Sequence, residues 1–473
     1  MTPLNPGEQS QHIRRQLIRD GLFQGAEGSP SGERVWRLSP EPFWITPEES
    51  SFLERLGSLL FAFYQASNKL YDESVHGRRP GWVARYLDQG KPDGLVEYSR
   101  MNRMKGQLPG IIRPDILLTP EGMVASELDA VPGGIGLTGS MGRIYSEIGF
   151  DVIGGSDGMV QGFSRMMTSL TTVKNPQMAV VVSDESRDYR PEMAYLCSSL
   201  QEIGCEAYLL EPREIRFQEE GLFFEREGKR YPIHVLYRFF ELFDLKNIPK
   251  AELILYAAKK KRVEITPPCK PYLEEKMLFA LFHHPLLRGF WKEELGKEGF
   301  ETLFSLFPGT WLLDPAEMPP YGVIPDLTLG EKPVASWGDL SGATQKERQF
   351  VIKPSGFSEL AWGSRGLSTG QDLSSEAWGE ALGRALQSFP TTPYLLQTFH
   401  KGRRVEMEYF SFETGEMARM EGRVRLCPYY FVEENGPEPR IRLRGILATV
   451  CSLEKKAIHG MVDAVMAPVA VHH

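Results

Sequence analysis

Two apolar runs separated by four turn-forming residues, IIRPDILL then TPEG then MVASEL over residues 111–128, leave this stretch little choice but a β-hairpin. The first strand is expected over 111–118, the turn over 119–122 and the second strand over 123–128. Side chains alternate between the faces of a strand, so Arg113 and Asp115 share one face, and Glu127 and Asp129 share one. Pairing across the turn then brings three carboxylates and one guanidinium into a small volume. Crowded carboxylates call for a cation, and hard oxygen donors suit Mg²⁺, which keeps coordination positions for water and phosphate. The plainer reading is a solvated hairpin with an Arg113–Asp115 surface pair. The apolar setting argues against that reading. So does the following Val131-Pro132-Gly133-Gly134, which lets backbone approach a ligand closely.

A chain of 473 residues exceeds one hydrophobic core and points to two to four domains or subdomains. A net charge of −8 speaks against a general nucleic-acid binder, while leaving room for a local basic pocket. No apolar run reaches the roughly 20 residues that span a bilayer, and residues 1–11 are too polar for a secretory leader. Cys197, Cys205, Cys269, Cys427 and Cys451 form no CxxC pair, which fits buried thiols in a reducing cytoplasm.

In chain order, a short helix is expected around residues 12–20. A second begins at Thr46-Pro47-Glu48-Glu49, a cap followed by proline and acidic residues, and continues through Phe52, Leu53, Leu56, Leu59, Leu60, Phe63 and Tyr64. Gly133, Gly134, Gly136, Gly139 and Gly142 read as a glycine-rich loop before a helix near 141–148. That loop is either a cradle of N–H donors for an anion or a flexible connection. Residues 178–183, 190–203 and 206–210 read as strand, helix and strand, a βαβ unit of a parallel sheet, with further strands at 222–226 and 235–239. A helix is expected from about Tyr272 with Lys276 in its early turns, and long loops across 300–345. Strands follow at 350–352 and 394–397 around a helix at 376–389, and 405–450 reads as a β meander.

Lys353 closes an apolar strand before PSGFSELAWGSRG, which suits an ammonium facing phosphates under loop N–H groups but lacks a Walker A pattern. Taken alone it reads more readily as a surface lysine, and Lys276 alone is a weaker signal still. The order R-x-D, twelve residues from that Asp to a Glu, then E-x-N/D, followed by an α/β segment and then the lysines, resembles circularly permuted ATP-grasp ligases of the glutathionylspermidine synthetase type. The resemblance spans roughly 95–450, with sharp motifs in about 40 of those positions.

That resemblance implies a mixed α/β fold, a circularly permuted ATP-grasp with an inserted parallel-sheet pre-ATP-grasp-like domain. Its implied divisions are 1–174 (helical region plus metal-binding half), 175–265 (α/β domain) and 266–473 (nucleotide-lysine half and C-terminal β region). It implies ATP and two Mg²⁺ ions, with Asp115, Glu127 and Asp129 as metal ligands and Arg113 stabilising an acyl phosphate and its tetrahedral adduct. Lys276 and Lys353 become nucleotide lysines, Gly356 and Ser358 part of the phosphate loop, Gln397 a residue near the adenine hinge, and Arg423 or Arg425 a contact to the acyl substrate. The implied activity is ligation of a small-molecule or peptide carboxylate to an amine, with no nucleic acid or membrane partner. The rivals are an inactive nucleotide-binding scaffold and an ATP-dependent kinase. Asp129 stands where the family usually has Asn, the glycine loop departs from its usual acidic pattern, and no amidase domain is present. Glutathione and spermidine are therefore not implied as substrates.

Overall fold

The computed structural model describes residues 5–23, 36–319, 322–361, 365–434, 436, 438–455 and 463–472. It is a mixed α/β fold built on several sheets. Trp362, Gly363 and Ser364 of the expected phosphate loop lie outside the described residues.

The hairpin forms as the alternation requires, with strands Ile111–Thr119 and Gly122–Asp129. Arg113 pairs with Asp129 and Asp115 with Glu127, and the register then shifts so that Ile116 faces Ala125. Ser126 is the extra residue of this bulge, and a bulge re-aims the backbone groups beside it. The hairpin sits at one edge of a sheet of eight described strands. Its first strand pairs antiparallel with the long strand Glu416–Glu433, which pairs in turn with Arg440–Ser452, itself bonded to Val465–Val471. Hydrogen bonding thus places Arg425 and Cys427 beside Asp115, although more than 300 residues separate them in the chain.

The helix Pro47–Val75 begins at Thr46, whose side chain and that of Glu49 form a reciprocal cap. It buries Leu53, Leu56, Leu60 and Phe63, the last stacked on Trp291 at 5.4 Å. Among the described residues no helix is long and apolar enough to cross a membrane. All five cysteines are free thiols.

The βαβ unit forms as expected, and its sheet runs Glu264–Thr266, Val235–Phe239, Gln177–Val182, Glu206–Leu210, all parallel. The strand Gly221–Arg226 does not join it. It makes a separate antiparallel sheet with Arg216–Gln218 and Lys229–Pro232, because links this short cannot make a parallel crossover. A further antiparallel sheet orders Thr310–Leu312, Tyr394–Thr398, Phe350–Pro354 and Ser368–Thr369. Trp378, Ala381 and Leu382 of the helix Ser375–Gln387 are buried with Ile352 and Leu396 from this sheet in one core cluster. The stretch expected to be loops from 300 begins inside the helix Arg288–Leu306.

The glycine-rich segment differs most from its expectation. It is helical from Ile135 to Glu147, six residues earlier than the spacing predicts. Local propensity disfavours helix there, but the glycines let neighbouring backbone in, and tertiary packing overrides propensity. A Cβ at Gly136 would stand 2.1 Å from the Glu192 carbonyl oxygen, whereas one at Gly139 meets nothing closer than 3.4 Å. Gly136→Ala should therefore destabilise by about 1–3 kcal/mol through forced displacement of backbone. Gly139→Ala should be neutral or stabilise by up to about 1 kcal/mol. Urea denaturation of the two variants side by side checks the contrast.

Candidate active site

The hairpin and the long strand together build an ionic cluster. Arg113 reaches across to Asp129 at 2.7 Å and to Asp115 at 3.2 Å, while Arg425 holds the other oxygen of Asp115 at 2.9 Å. The Cys427 thiol lies 3.5 Å from Asp115. Burial pushes the Asp129 carboxyl up against the pull of Arg113, with Glu127 and Asp115 adding to the rise. Burial pushes Glu127 up as well, but Lys276, Lys353 and Arg113 together hold it below the usual range. One hairpin thus carries carboxylates poised in opposite directions.

Two lysines approach from other elements. Lys276 lies 3.4 Å from Glu127 and donates to the Ala361 carbonyl at 3.3 Å. It stands just before the helix Met277–His283 and not within an early turn, because Pro271–Glu274 folds as a separate 3₁₀ turn ahead of it. Lys353, at the end of its strand, donates to the carbonyl of Ser126 at 2.8 Å. Ser126 is the bulged residue of the hairpin, on the edge strand of its sheet. Burial lowers the Lys353 pKa to about 8, opposed by Glu127 and reinforced by Lys276.

These groups sit at the junction of two cavities. The larger, about 760 Å³, is lined by Arg113, Asp129, Lys276, Gly356, Ser358 and Tyr189 among others. The smaller, about 310 Å³, is lined by Lys353, Gln397, Phe399, Lys401 and Arg423 among others. Asp115, Glu127 and Arg425 line both. Gln397 is buried and donates to the Thr310 hydroxyl at 3.1 Å. The two candidate arginines part company: Arg425 joins the carboxylate cluster, while Arg423 donates to the Gly402 carbonyl at 3.2 Å on the side of the smaller cavity.

Among the described residues no group of three or more His, Cys, Asp or Glu side chains is arranged to hold a metal ion. Asp115, Glu127 and Asp129 are instead engaged by Arg113, Arg425 and Lys276. Their oxygens suit a hard divalent cation in kind, and binding one means exchanging some of these ion pairs.

Residues with no sequence signal also line the larger cavity. The Glu192 carboxylate accepts from the backbone N–H groups of Gly134 and Leu137, at 2.8 and 3.4 Å. The anion cradled by the glycine-rich segment is thus a side chain of this chain, brought from 55 or more residues away. Burial raises Glu192 to about 7 and Glu241, on the same cavity wall, to about 8, where Glu274 and Asp129 add to the rise. Glu192 on an amphipathic helix and Glu241 just before the 3₁₀ turn Leu242–Asn247 give no hint of these positions in the sequence.

No family model and no curated protein matches the chain. Among solved structures, it shares its fold with a glutathione synthetase-like effector from Globodera pallida, at TM-score 0.61 and 11% identity, covering 99% of this chain and 98% of that one. A provisionally assigned γ-glutamylcysteine synthetase from Methylobacillus flagellatus aligns over 87% of this chain and 84% of that one, at TM-score 0.39 and 10% identity.

Proposed function

We propose that this chain is an ATP-dependent carboxylate–amine ligase of the circularly permuted ATP-grasp type, divided near residues 174 and 265. The observation that supports it best is the pair of cavities sharing Asp115, Glu127 and Arg425 as a common wall. The smaller, with Lys353, Lys401, Arg423 and Arg425 on its walls, suits a nucleoside triphosphate whose phosphates reach over the shared wall toward Lys276, Gly356 and Ser358 in the larger. The larger suits an acid and an amine. The fold shared with a glutathione synthetase-like protein is in keeping with this reading.

In the reaction, the substrate carboxylate attacks the γ-phosphorus of ATP, giving an acyl phosphate and ADP. The amine then attacks the acyl carbon, phosphate leaves, and the nitrogen gives up a proton. Lys276 and Lys353 hold positive charge against the transferring phosphoryl group, and Arg113 donates to the oxyanion of the tetrahedral adduct. Mg²⁺, held by oxygens of Asp115, Glu127 and Asp129, would supply further neutralisation of the phosphates. No covalent enzyme intermediate is required, so no nucleophile–base pair is needed.

Lys353 makes the reading sensitive to pH. It is charged below about 8, and above that the site loses a cation. ATP affinity should therefore be level from pH 6.5 to 7.5 and fall as pH rises through 8 to 9, with proton uptake accompanying binding in the upper range. Calorimetry in two buffers of different ionisation enthalpy measures both.

The direct test is a screen of acids and amines with Mg-ATP, following ADP, phosphate and amide. Release that needs both acid and amine supports the ligase. ADP with a phosphorylated acceptor and no amide indicates a kinase. One observation favours a second reading, binding without turnover: the three carboxylates are already neutralised by side chains. Tight ATP binding with no product from any pair would support it.

A further inference from the structure

One ion pair near the site lies wholly inside the protein. Lys91 Nζ and Glu275 Oε1 are 2.6 Å apart, and each side chain is 1% exposed. Lys91 comes from the connection after the helix Trp82–Asp88, far in sequence from the segment that carries Lys276. A buried pair such as this adds little net stability, because desolvating both charges offsets their attraction. Apolar residues of similar volume often do as well or better. Its value has to be sought in geometry.

Glu275 is where two walls of the larger cavity are joined. Its carboxylate accepts from the Ser355 hydroxyl and, at 3.3 Å, from the Phe357 N–H. Ser355 in turn takes the N–H of Lys276 on its carbonyl at 2.8 Å and that of Met277 on its hydroxyl at 3.0 Å. Between them Gly356 lies so close that a Cβ would stand 2.9 Å from both the Glu274 carbonyl oxygen and the Glu275 carboxyl carbon. The wall held in this way is thin. Phe357 and Ser358 line the 760 Å³ cavity on one side and a second cavity of about 600 Å³ on the other.

We propose that the Glu275 carboxylate, its charge neutralised by Lys91, is a positioning group whose hydrogen bonds fix the 355–358 turn against residues 274–277 and so set where Lys276 and Gly356 meet a ligand. Lys91 and Glu275 themselves touch no substrate. The identity of that ligand, a nucleotide and its acyl partner, rests on the ligase reading above.

Changing one partner leaves a bare buried charge, so the test uses pairs of changes. Lys91→Met with Glu275→Leu removes charge and joint together. Lys91→Met with Glu275→Gln removes charge but keeps an oxygen for Ser355 and Phe357. The first should lower the thermal midpoint modestly, because the Ser355 hydroxyl and the Phe357 N–H lose their acceptor, bind Mg-ATP about tenfold more weakly or worse, and exchange the amides of 355–360 faster. The second should recover most of these losses. Parent-like affinity and exchange in the Leu double variant would overturn the proposal. Should that variant not fold, Ser355→Ala leaves the ion pair intact and breaks the joint. It must loosen the same amides and weaken Mg-ATP, and an unchanged result there also overturns the proposal. If the parent itself binds no Mg-ATP, the ligase reading falls, while the exchange experiment still decides whether the Glu275 joint holds this wall.

Discussion

Arg113→Ala should destabilise the protein by about 3–5 kcal/mol, the cost of leaving buried carboxylates without their partner. Arg113 is flanked by Asp115 and Asp129, and its side chain is 11% exposed. Asp115 keeps Arg425 at 2.9 Å, so most of the loss arises at Asp129, which Arg113 holds at 2.7 Å. Burial alone would favour the uncharged guanidine, but the two aspartates outweigh it and hold Arg113 in its charged form. Adding Asp129→Asn to the variant should therefore recover a large part of the stability, measured by urea denaturation. It should not recover turnover. In the ligase reading the lost donor to the oxyanion lowers kcat by about 10²–10³-fold. Arg113→Lys keeps the charge but cannot fork between two carboxylates, so it should fall between wild type and alanine on both measures.

Lys353→Met should act in the opposite direction on stability. Folding lowers this lysine from its ordinary value of 10.5 to about 8, chiefly by burial. Its charged form is thus disfavoured in the folded protein, and the penalty is complete below pH 8, where both states carry the proton. Between 8 and 10.5 the unfolded chain binds more protons than the folded one, so stability rises with pH there. The shift corresponds to roughly 3 kcal/mol, and loss of the bond to the Ser126 carbonyl takes back about 1 kcal/mol. A net gain of about 1–2 kcal/mol is expected near pH 7, with the rise between pH 8 and 10 abolished. Nucleotide affinity should fall at least tenfold, since a charge-assisted contact to phosphate is gone. A residue whose removal strengthens the fold while weakening binding marks a functional site. Denaturation curves at pH 7 and 9.5, paired with ATP titrations, measure both halves.

The hairpin was legible because its alternation and turn are strictly local signals. Its bulge was not, since only the paired register shows Ser126, whose carbonyl Lys353 reaches, to be the extra residue. The βαβ unit could be read from periodicity. The helix from Ile135 could not, because its glycines are poor helix formers whose use lies in contacts with Glu192 and Gly155, distant in sequence. The strand carrying Arg423 and Arg425 alternates correctly in the sequence, but its alignment against the hairpin decides which arginine reaches Asp115. Glu192, Glu241 and the Lys91–Glu275 pair gain their roles wholly from elements that meet in three dimensions. Local pattern names the carriers of charge; register and packing decide which of them meet.

The most direct test of the account is calorimetric titration of ATP with and without Mg²⁺, using the native chain, Glu127→Ala and Lys353→Met. The account predicts binding that depends on Mg²⁺ in the native chain and is weakened at least tenfold in both variants, each still folded. A well-folded native protein that binds no ATP, or variants that bind it as the native chain does, would contradict it.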